Sequence, residues 1–260
     1  MRPRLLLLTL AVLAGCSKQR DDNAHMLREV KQRLSERDTQ LTSYRLEGIT
    51  RDEGAEPLGF GFSYRAPQKM LGVLRAPVSR AFSWDGEHLF EQNDKDQRFT
   101  IFKNELSTER RSGFLTETFA PFSPEGFRAP LLPSELEAKR ASHPRAPEAV
   151  EVTGKVAPSP GESLQVTYIL RWPTMDFLGR RFLLPDSTVS EVRVEEEHCD
   201  EALKLCVPQK LTRWVKGEKV GETTLSKVEL NPALPNDTFT LVAPEGYEVQ
   251  TKTLVNSEGK

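Results

Sequence analysis

The residues best suited to chemistry lie in one acidic stretch in the second half of the chain. The carboxylates of residues 195–197, the imidazole of His198 and the thiols of Cys199 and Cys206 are all groups that bind zinc. The same two thiols can instead form a disulfide that closes a hairpin loop. The other histidines have no partner motif, and no Gly-x-Ser-x-Gly, P-loop or His-Glu-x-x-His sequence occurs. We therefore expect a protein that is not an enzyme and has no cofactor.

The first residues of the chain form a targeting segment. Arg2 and Arg4 precede an apolar run over residues 5–13, which is shorter than the about 20 residues of a membrane-spanning helix and typical of a secretory signal peptide. Its end, Leu13-Ala14-Gly15-Cys16, resembles the lipobox of bacterial lipoproteins, where the signal is removed before the cysteine. The resemblance implies that Cys16 carries acyl chains such as palmitate. The alternative is an ordinary signal peptide with an incidental cysteine.

Export decides between the two uses of the later cysteines. Compartments outside the cytoplasm are oxidising, so thiols there are commonly found as disulfides. After removal of the signal peptide and lipidation of Cys16, Cys199 and Cys206 are the only cysteines left. We therefore predict a Cys199–Cys206 disulfide and no metal site, with the neighbouring carboxylates on a solvated loop edge.

The composition excludes one large class of partners and suggests a simple domain plan. The 260 residues include 36 basic and 38 acidic side chains, a net charge of −2, so the chain has no basic field that would attract nucleic acid. We divide the chain into a signal peptide (1–15), a lipidated cysteine with a polar tether (16–24), one folded domain (25–250) and a flexible tail (251–260).

Residues 24–41 predict an amphipathic helix. Leu27, Val30, Leu34 and Leu41 recur at helical spacing, with charged residues between them. This stripe would cover one side of the domain.

From Tyr44 onward the apolar period changes to two, which indicates β-strands. Asp85-Gly86 predicts a tight hairpin turn. Similar alternation recurs in about ten segments, so we expect a mainly β protein built on a strongly curved antiparallel sheet. The proline-rich residues 104–160 interrupt the strands and suggest a lid, a binding loop or a disordered segment.

Strand parity predicts which side chains share one face, because alternate residues of a strand point the same way. Several of these faces are aromatic, while their partners are small or charged. The expected concave apolar surface consists of Phe60, Phe62, Tyr64, Leu71, Val73, Phe82, Trp84, Tyr168, Leu170 and Trp172.

Three stretches of the chain resemble the LolA/LolB superfamily of lipoprotein carriers. They are Phe62-Ser63-Tyr64-Arg65-Ala66-Pro67, then Phe82-Ser83-Trp84-Asp85-Gly86, and finally Phe239-Thr240-Leu241-Val242-Ala243-Pro244-Glu245-Gly246. The resemblance implies an unclosed half-barrel around an apolar cavity, with the N-terminal helix and a helical or looped lid over it. It also implies that Arg65 contacts the lid, although Ala66 separates Arg65 from Pro67, a one-residue departure from the family pattern.

The resemblance implies a lipid-anchored envelope protein that holds the acyl chains of lipids or lipoproteins for transport or outer-membrane insertion. Ser17 after Cys16 favours sorting to the outer membrane, facing the periplasm. A periplasmic carrier or another envelope protein is the expected protein partner. Two alternatives stay open: an RseB-like regulator that binds protein or lipoprotein ligands, and a structural lipoprotein with a filled core.

Overall fold

The computed structural model describes residues 6–75, 77, 79–130, 132, 135–156 and 164–255, and for residues 6–21 the backbone alone. Two α-helices, α1 (Leu6–Gln40) and α2 (Thr108–Phe119), accompany the strands of one large sheet. The strands are β1 (Ser43–Asp52), β2 (Leu58–Arg65), β3 (Lys69–Leu74), β4 (Arg80–Trp84), β5 (His88–Asn93), β6 (Arg98–Asn104), β7 (Leu136–His143), β8 (Ala146–Val156), β9 (Leu164–Arg171), β10 (Phe177–Leu183), β11 (Val189–Asp200), β12 (Leu205–Val215), β13 (Glu218–Leu230) and β14 (Glu248–Leu254). A short 3₁₀ helix covers Asn236–Phe239.

The described strands form one 14-stranded sheet in the order β14-β6-β5-β4-β3-β2-β1-β13-β12-β11-β10-β9-β8-β7. Every neighbouring pair is antiparallel except β14 with β6, which is parallel. The order runs from one edge strand to the other, so the sheet does not close into a barrel. This confirms the expected fold class: a mainly β half-barrel with an N-terminal helix and one further helix.

The predicted apolar stripe of α1 packs against the sheet. Val30, Leu34 and Leu41 are buried at 0%, 4% and 0% exposure, because their spacing puts them on one side of the helix. The helix begins at Leu6 rather than at residue 24, since the leucine-rich apolar run and the polar residues after it are themselves compatible with helix. Among the described residues, no helix combines the length and apolarity that a membrane span needs.

Three segments differ from the sequence expectations. The stretch 104–160 contains not only α2 but also β7 and β8, an edge hairpin whose polar, proline-containing sequence hides its alternation. The alternation at residues 238–242, one of the segments expected to be strands, instead belongs to the 3₁₀ helix and the irregular chain that follows it. The range 251–260, expected to be a flexible tail, begins inside β14, whose parallel pairing with β6 is non-local and leaves no local signal. Residues 256–260 lie outside the described part of the chain.

The core consists of two main apolar clusters. One lies under β1–β5 and includes side chains from α2 and from Phe122 and Phe127. The other joins the stripe of α1 to the inner faces of β8–β12. The two clusters occupy the two halves of the curved sheet.

The predicted disulfide is present. Cys199 and Cys206 lie opposite each other in the β11–β12 ladder and are bonded. Both thiols are used by this bridge, so the zinc alternative loses its sulfur ligands.

Replacing both cysteines with serine should lower the free energy of unfolding by about 2.5 kcal/mol, because the bridge restricts a short loop in the unfolded chain. Urea unfolding of the oxidised protein and the double variant checks this value. Intact-mass analysis with an alkylating reagent is the control. Two freely alkylating thiols in the unreduced, unfolded protein would contradict the bridge.

Candidate functional site

A cavity of about 600 Å³ lies inside the curve of the sheet. Helices α1 and α2 and residues 120–130, which we call the covering segment, close it on the side away from the strands. Its apolar wall consists of Leu34, Tyr44, Phe62, Tyr64, Met70, Leu115, Phe119, Tyr168, Leu170, Met175 and Phe177. Both core clusters contribute to this wall, so the cavity lies where the two halves of the sheet meet.

The register between β1 and β2 brings together the aromatic side chains of the cavity wall. Tyr44 lies opposite Tyr64 in the ladder, and their rings stack with centroids 5.1 Å apart. Phe62, on the same face of β2, packs against Phe119 of α2 at 6.1 Å. The helix that closes the cavity is therefore fixed by ring contacts with the strands.

Gly72 allows the covering segment to approach the sheet. A Cβ atom at Gly72 would lie 2.5 Å from the ring of Phe122, which is closer than real carbon contacts allow. The missing side chain leaves a depression in β3 that holds this ring. Close approach to a neighbouring group is a common reason for glycine inside a strand.

Four of the ten predicted surface residues line the cavity: Phe62, Tyr64, Tyr168 and Leu170. Three more, Phe60, Phe82 and Trp84, lie on the same side of the sheet but pack within the first core cluster. Phe82, for example, contacts the ring of Phe122 at 5.9 Å.

Leu71 and Val73 lie on the other face of the sheet. They are opposite Ser63 and Gly61 of β2, whereas Met70 is opposite Tyr64. Residues directly opposite in a ladder share a face, so the inward positions of β3 are Met70, Gly72 and Leu74. The expectation was wrong for Leu71 and Val73, because both faces of this short strand carry apolar residues.

Trp172 lies in the turn after β9 rather than in the cavity wall. Its indole contacts two guanidinium groups, with Arg33 of α1 at 4.7 Å and Arg140 of β7 at 3.7 Å from the ring centroid. These stacked cations connect the helix and the edge strand through the indole.

Arg37 of α1 holds the covering segment in place. Its side chain is buried at 4% exposure. The guanidinium donates to the backbone carbonyls of Gly126 at 2.7 Å and Phe127 at 3.4 Å. It also donates to the carbonyl of Cys206 at 3.3 Å, which connects the helix to the disulfide hairpin.

Asp176 provides the countercharge for Arg37. Its Oδ1 lies 3.7 Å from Nε of Arg37 and accepts the backbone N–H of Cys206 at 3.0 Å. Its Oδ2 accepts from Arg171 at 3.1 Å and from the Thr174 hydroxyl at 2.6 Å. Burial lowers the pKa of Arg37, and attraction to Asp176 opposes that shift. The buried pair fixes α1, β10 and the hairpin relative to one another.

A second arginine lies at the mouth of the cavity. Arg128 of the covering segment pairs with Asp38 at 3.1 Å and lies over the ring of Tyr64, 4.9 Å from its centroid. Asp38 also accepts the backbone N–H of Ala129 at 2.9 Å. An open groove of about 820 Å³ shares these residues with the cavity and leads outward past Lys31 of α1.

Arg65 has a different position from the one implied by the family resemblance. Its guanidinium donates to the carbonyl of Leu234 and to the side chain of Asn236, and it lies 5.3 Å from the centroid of Phe239. The described contacts of Arg65 therefore go to the segment before β14. The covering segment is instead joined to α1 by Arg37 and by the Arg128–Asp38 pair.

Arg37 gives a sequence signal that the analysis of apolar residues missed. It lies between Leu34 and Leu41 at helical spacing, so it occupies a position on the buried stripe itself. A lone charged residue on such a stripe must find buried partners. Asp176 gave no comparable signal, because it lies in an irregular turn.

One ion pair lies within the cavity wall. Arg180 of β10 and Glu125 of the covering segment are 3.0 Å apart. Burial raises the pKa of the Glu125 carboxyl, while attraction to Arg180 and Arg213 opposes that shift. A third of the Glu125 side-chain surface is exposed, and the residue lines the cavity.

The raised pKa of Glu125 predicts a pH effect with a defined sign. The folded state holds this proton to higher pH than the unfolded chain does. Protonation of Glu125 therefore adds to the free energy of unfolding at pH values below the ordinary glutamate pKa. This contribution is lost as the pH rises through the raised pKa of the folded state. Glu125→Gln should remove this part of the pH dependence. Urea midpoints from pH 4 to 8 would check it, with the exposed Glu117→Gln as control, and an unchanged pH profile would contradict the assignment.

Comparison with solved structures identifies the fold. A domain described as an outer-membrane lipoprotein-sorting protein from Vibrio parahaemolyticus aligns with TM-score 0.54 and 10% identity, covering 81% of this chain and 94% of that chain. A LolA superfamily protein from Nitrosomonas europaea aligns with TM-score 0.46 and 12% identity, covering 81% and 97%. The Pseudomonas aeruginosa MucA/MucB complex gives TM-score 0.33 and 15% identity, covering 82% and 60%. No protein-family model and no curated protein matches the sequence.

The open sheet and the first of these alignments show that this chain shares the fold of that lipoprotein-sorting domain. This confirms the unclosed half-barrel that the sequence motifs implied. At 10% identity the alignment concerns the fold alone.

Proposed function

We propose that this protein is a membrane-anchored periplasmic protein that holds the acyl chains of lipids or lipoproteins in its cavity, for transport or outer-membrane insertion. The observation that carries the proposal is the cavity of about 600 Å³ with its aromatic and aliphatic wall. Cavities of roughly 300–1,000 Å³ are typical of sites for small ligands. The function proposed is binding and transfer rather than catalysis.

The chemistry of the wall suits an acyl chain. Each methylene removed from water contributes roughly 0.8 kcal/mol, and the rings and aliphatic side chains around the cavity provide a surface for it. The charged groups at the boundary are largely paired with one another, as in Arg128–Asp38 and Arg37–Asp176. The apolar wall can therefore hold a chain without leaving these charges unpaired.

The covering segment provides a route for entry and release. It is held by polar contacts of Arg37, Arg128 and Glu125 and by the buried rings of Phe122 and Phe127. None of these contacts belongs to a strand ladder, so opening of the segment would leave the sheet intact. The groove beside Lys31 would then lead to the cavity.

The anchor is tested at Cys16. Cys16→Ala should remove lipid modification and move the protein out of the membrane fraction, because the proposed anchor consists of acyl chains on this thiol. Fractionation and intact-mass analysis check the result, with Ser17→Ala as the control. Membrane association that survives the substitution would contradict the lipoprotein assignment.

The cavity is tested with a neutral fluorescent probe, N-phenyl-1-naphthylamine. The mature chain with Cys16→Ser, which needs no detergent, should increase the probe's fluorescence. A triacylated lipopeptide should reverse that increase. A probe that stays dark with the folded protein would contradict the proposal.

The structural alternative is supported by the packing of the first cluster. Phe60 and Trp84 are 2% and 1% exposed and are already covered by other core side chains. A structural lipoprotein would have a filled core and bind neither probe nor lipopeptide. An RseB-like regulator would bind a protein ligand, and lipopeptide displacement by itself would not distinguish it from a carrier.

A further inference from the structure

Arg180 is a cation fixed in the apolar wall. It lies in β10 opposite Tyr168 of β9. Its guanidinium also lies over the ring of Phe182, 4.2 Å from the centroid. The charge is therefore held in position by the sheet and not by a mobile loop.

The hydrogen bonding of Arg180 is incomplete. Glu125 contacts Nη2 at 3.0 Å, whereas Nε is buried and has no hydrogen-bond partner among the described residues. A guanidinium binds carboxylate or phosphate best through two parallel N–H groups. Glu125 uses one of them and leaves the other unsatisfied, which is costly for a buried donor.

Glu125 is the exchangeable member of the pair. It lies in a turn of the covering segment rather than in a strand. Part of its side chain is exposed, and the residue lines the cavity. Burial opposes its ionised form. An incoming anion could therefore take its place on Arg180 while the strand remains unchanged.

We infer that the cavity binds a single-chain amphiphile with an acidic headgroup, a carboxylate or a phosphate, and that Arg180 holds this headgroup through two N–H groups in place of Glu125. The inference rests on the proposed function, because it specifies the class of lipid that the cavity takes. The acyl chain lies along the wall formed by Leu170, Met175 and Phe177.

The test compares cis-parinaric acid with its methyl ester, which has the same chain and no charge. The mature chain with Cys16→Ser should bind the acid at least about tenfold more tightly, because the acid adds a charge-assisted hydrogen-bonded pair. Arg180→Met should reduce acid affinity to that of the ester and leave ester affinity unchanged. Glu125→Gln should strengthen acid binding, because it removes the competing carboxylate.

Two further variants keep the test decisive. Arg181→Met changes the next residue of β10, which is half exposed and pairs with Glu191, and should leave the preference for the acid intact. The double variant Glu125→Gln/Arg180→Met avoids an unpaired buried carboxylate, so it reports on the headgroup site even if Arg180→Met alone unfolds.

The outcomes separate this inference from the proposed function. Equal affinity for acid and ester, or a preference that survives in the double variant, would overturn the inference and leave the lipid-binding function standing. Binding of neither ligand would overturn both. Displacement of the acid by millimolar inorganic phosphate would show a site for free anions and would also overturn the inference.

Discussion

Arg37→Met should lower the free energy of unfolding by about 3–5 kcal/mol, because it leaves Asp176 as a buried charge that has lost one of its cationic partners. It also removes the hydrogen bonds to Gly126, Phe127 and Cys206. We expect the covering segment to loosen as well, so the neutral probe should enter and leave faster than in the unmodified protein. Urea unfolding and stopped-flow fluorescence measure the two effects.

Two variants calibrate this result. Arg28→Met changes an exposed arginine on the same helix and should alter stability by less than about 0.5 kcal/mol. The double variant Arg37→Met/Asp176→Asn should be less destabilised than the sum of the single effects, since it removes both charges. If Arg37→Met behaves like Arg28→Met, the buried pair does not hold the covering segment.

Met70→Trp should abolish probe binding. Met70 is an inward position of β3 and lines the cavity, so a larger side chain there would take up the space that a ligand needs. Overpacking of this kind costs typically 1–3 kcal/mol, so the variant should still fold. Fluorescence titration and thermal unfolding check binding and folding separately.

Leu71→Trp is the matched control. It introduces the same side chain at the next position of the same strand, on the opposite face. We expect probe binding close to that of the unmodified protein. If Leu71→Trp blocks binding and Met70→Trp does not, the cavity lies on the other side of the sheet.

The pattern of single strands was enough to predict much of this architecture. In β2, Phe60, Phe62 and Tyr64 alternate with small residues, so the period assigns both the strand and its inner face. The stripe of α1 is equally clear. The order of the motifs added the open shape of the sheet, which the strand order from one edge to the other confirms.

The remaining features depend on pairing and on buried polar contacts. In β3 both faces carry apolar residues, so only the ladder with β2 and β4 assigns Met70 to the cavity and Leu71 to the other face. The parallel pairing of β14 with β6 joins segments far apart in the sequence. Arg37 and Arg180 find their partners through tertiary contacts, so the local sequence does not identify Asp176 and Glu125 as those partners.

Mass spectrometry of lipid extracted from the protein tests the central claim most directly. The mature chain with Cys16→Ser should be purified without detergent, extracted with organic solvent and compared with Met70→Trp prepared in the same way. We predict acyl lipid in a near-stoichiometric amount from the first protein and little from the second. Equal amounts from the two proteins, or none from either, would contradict the claim that this cavity holds acyl chains.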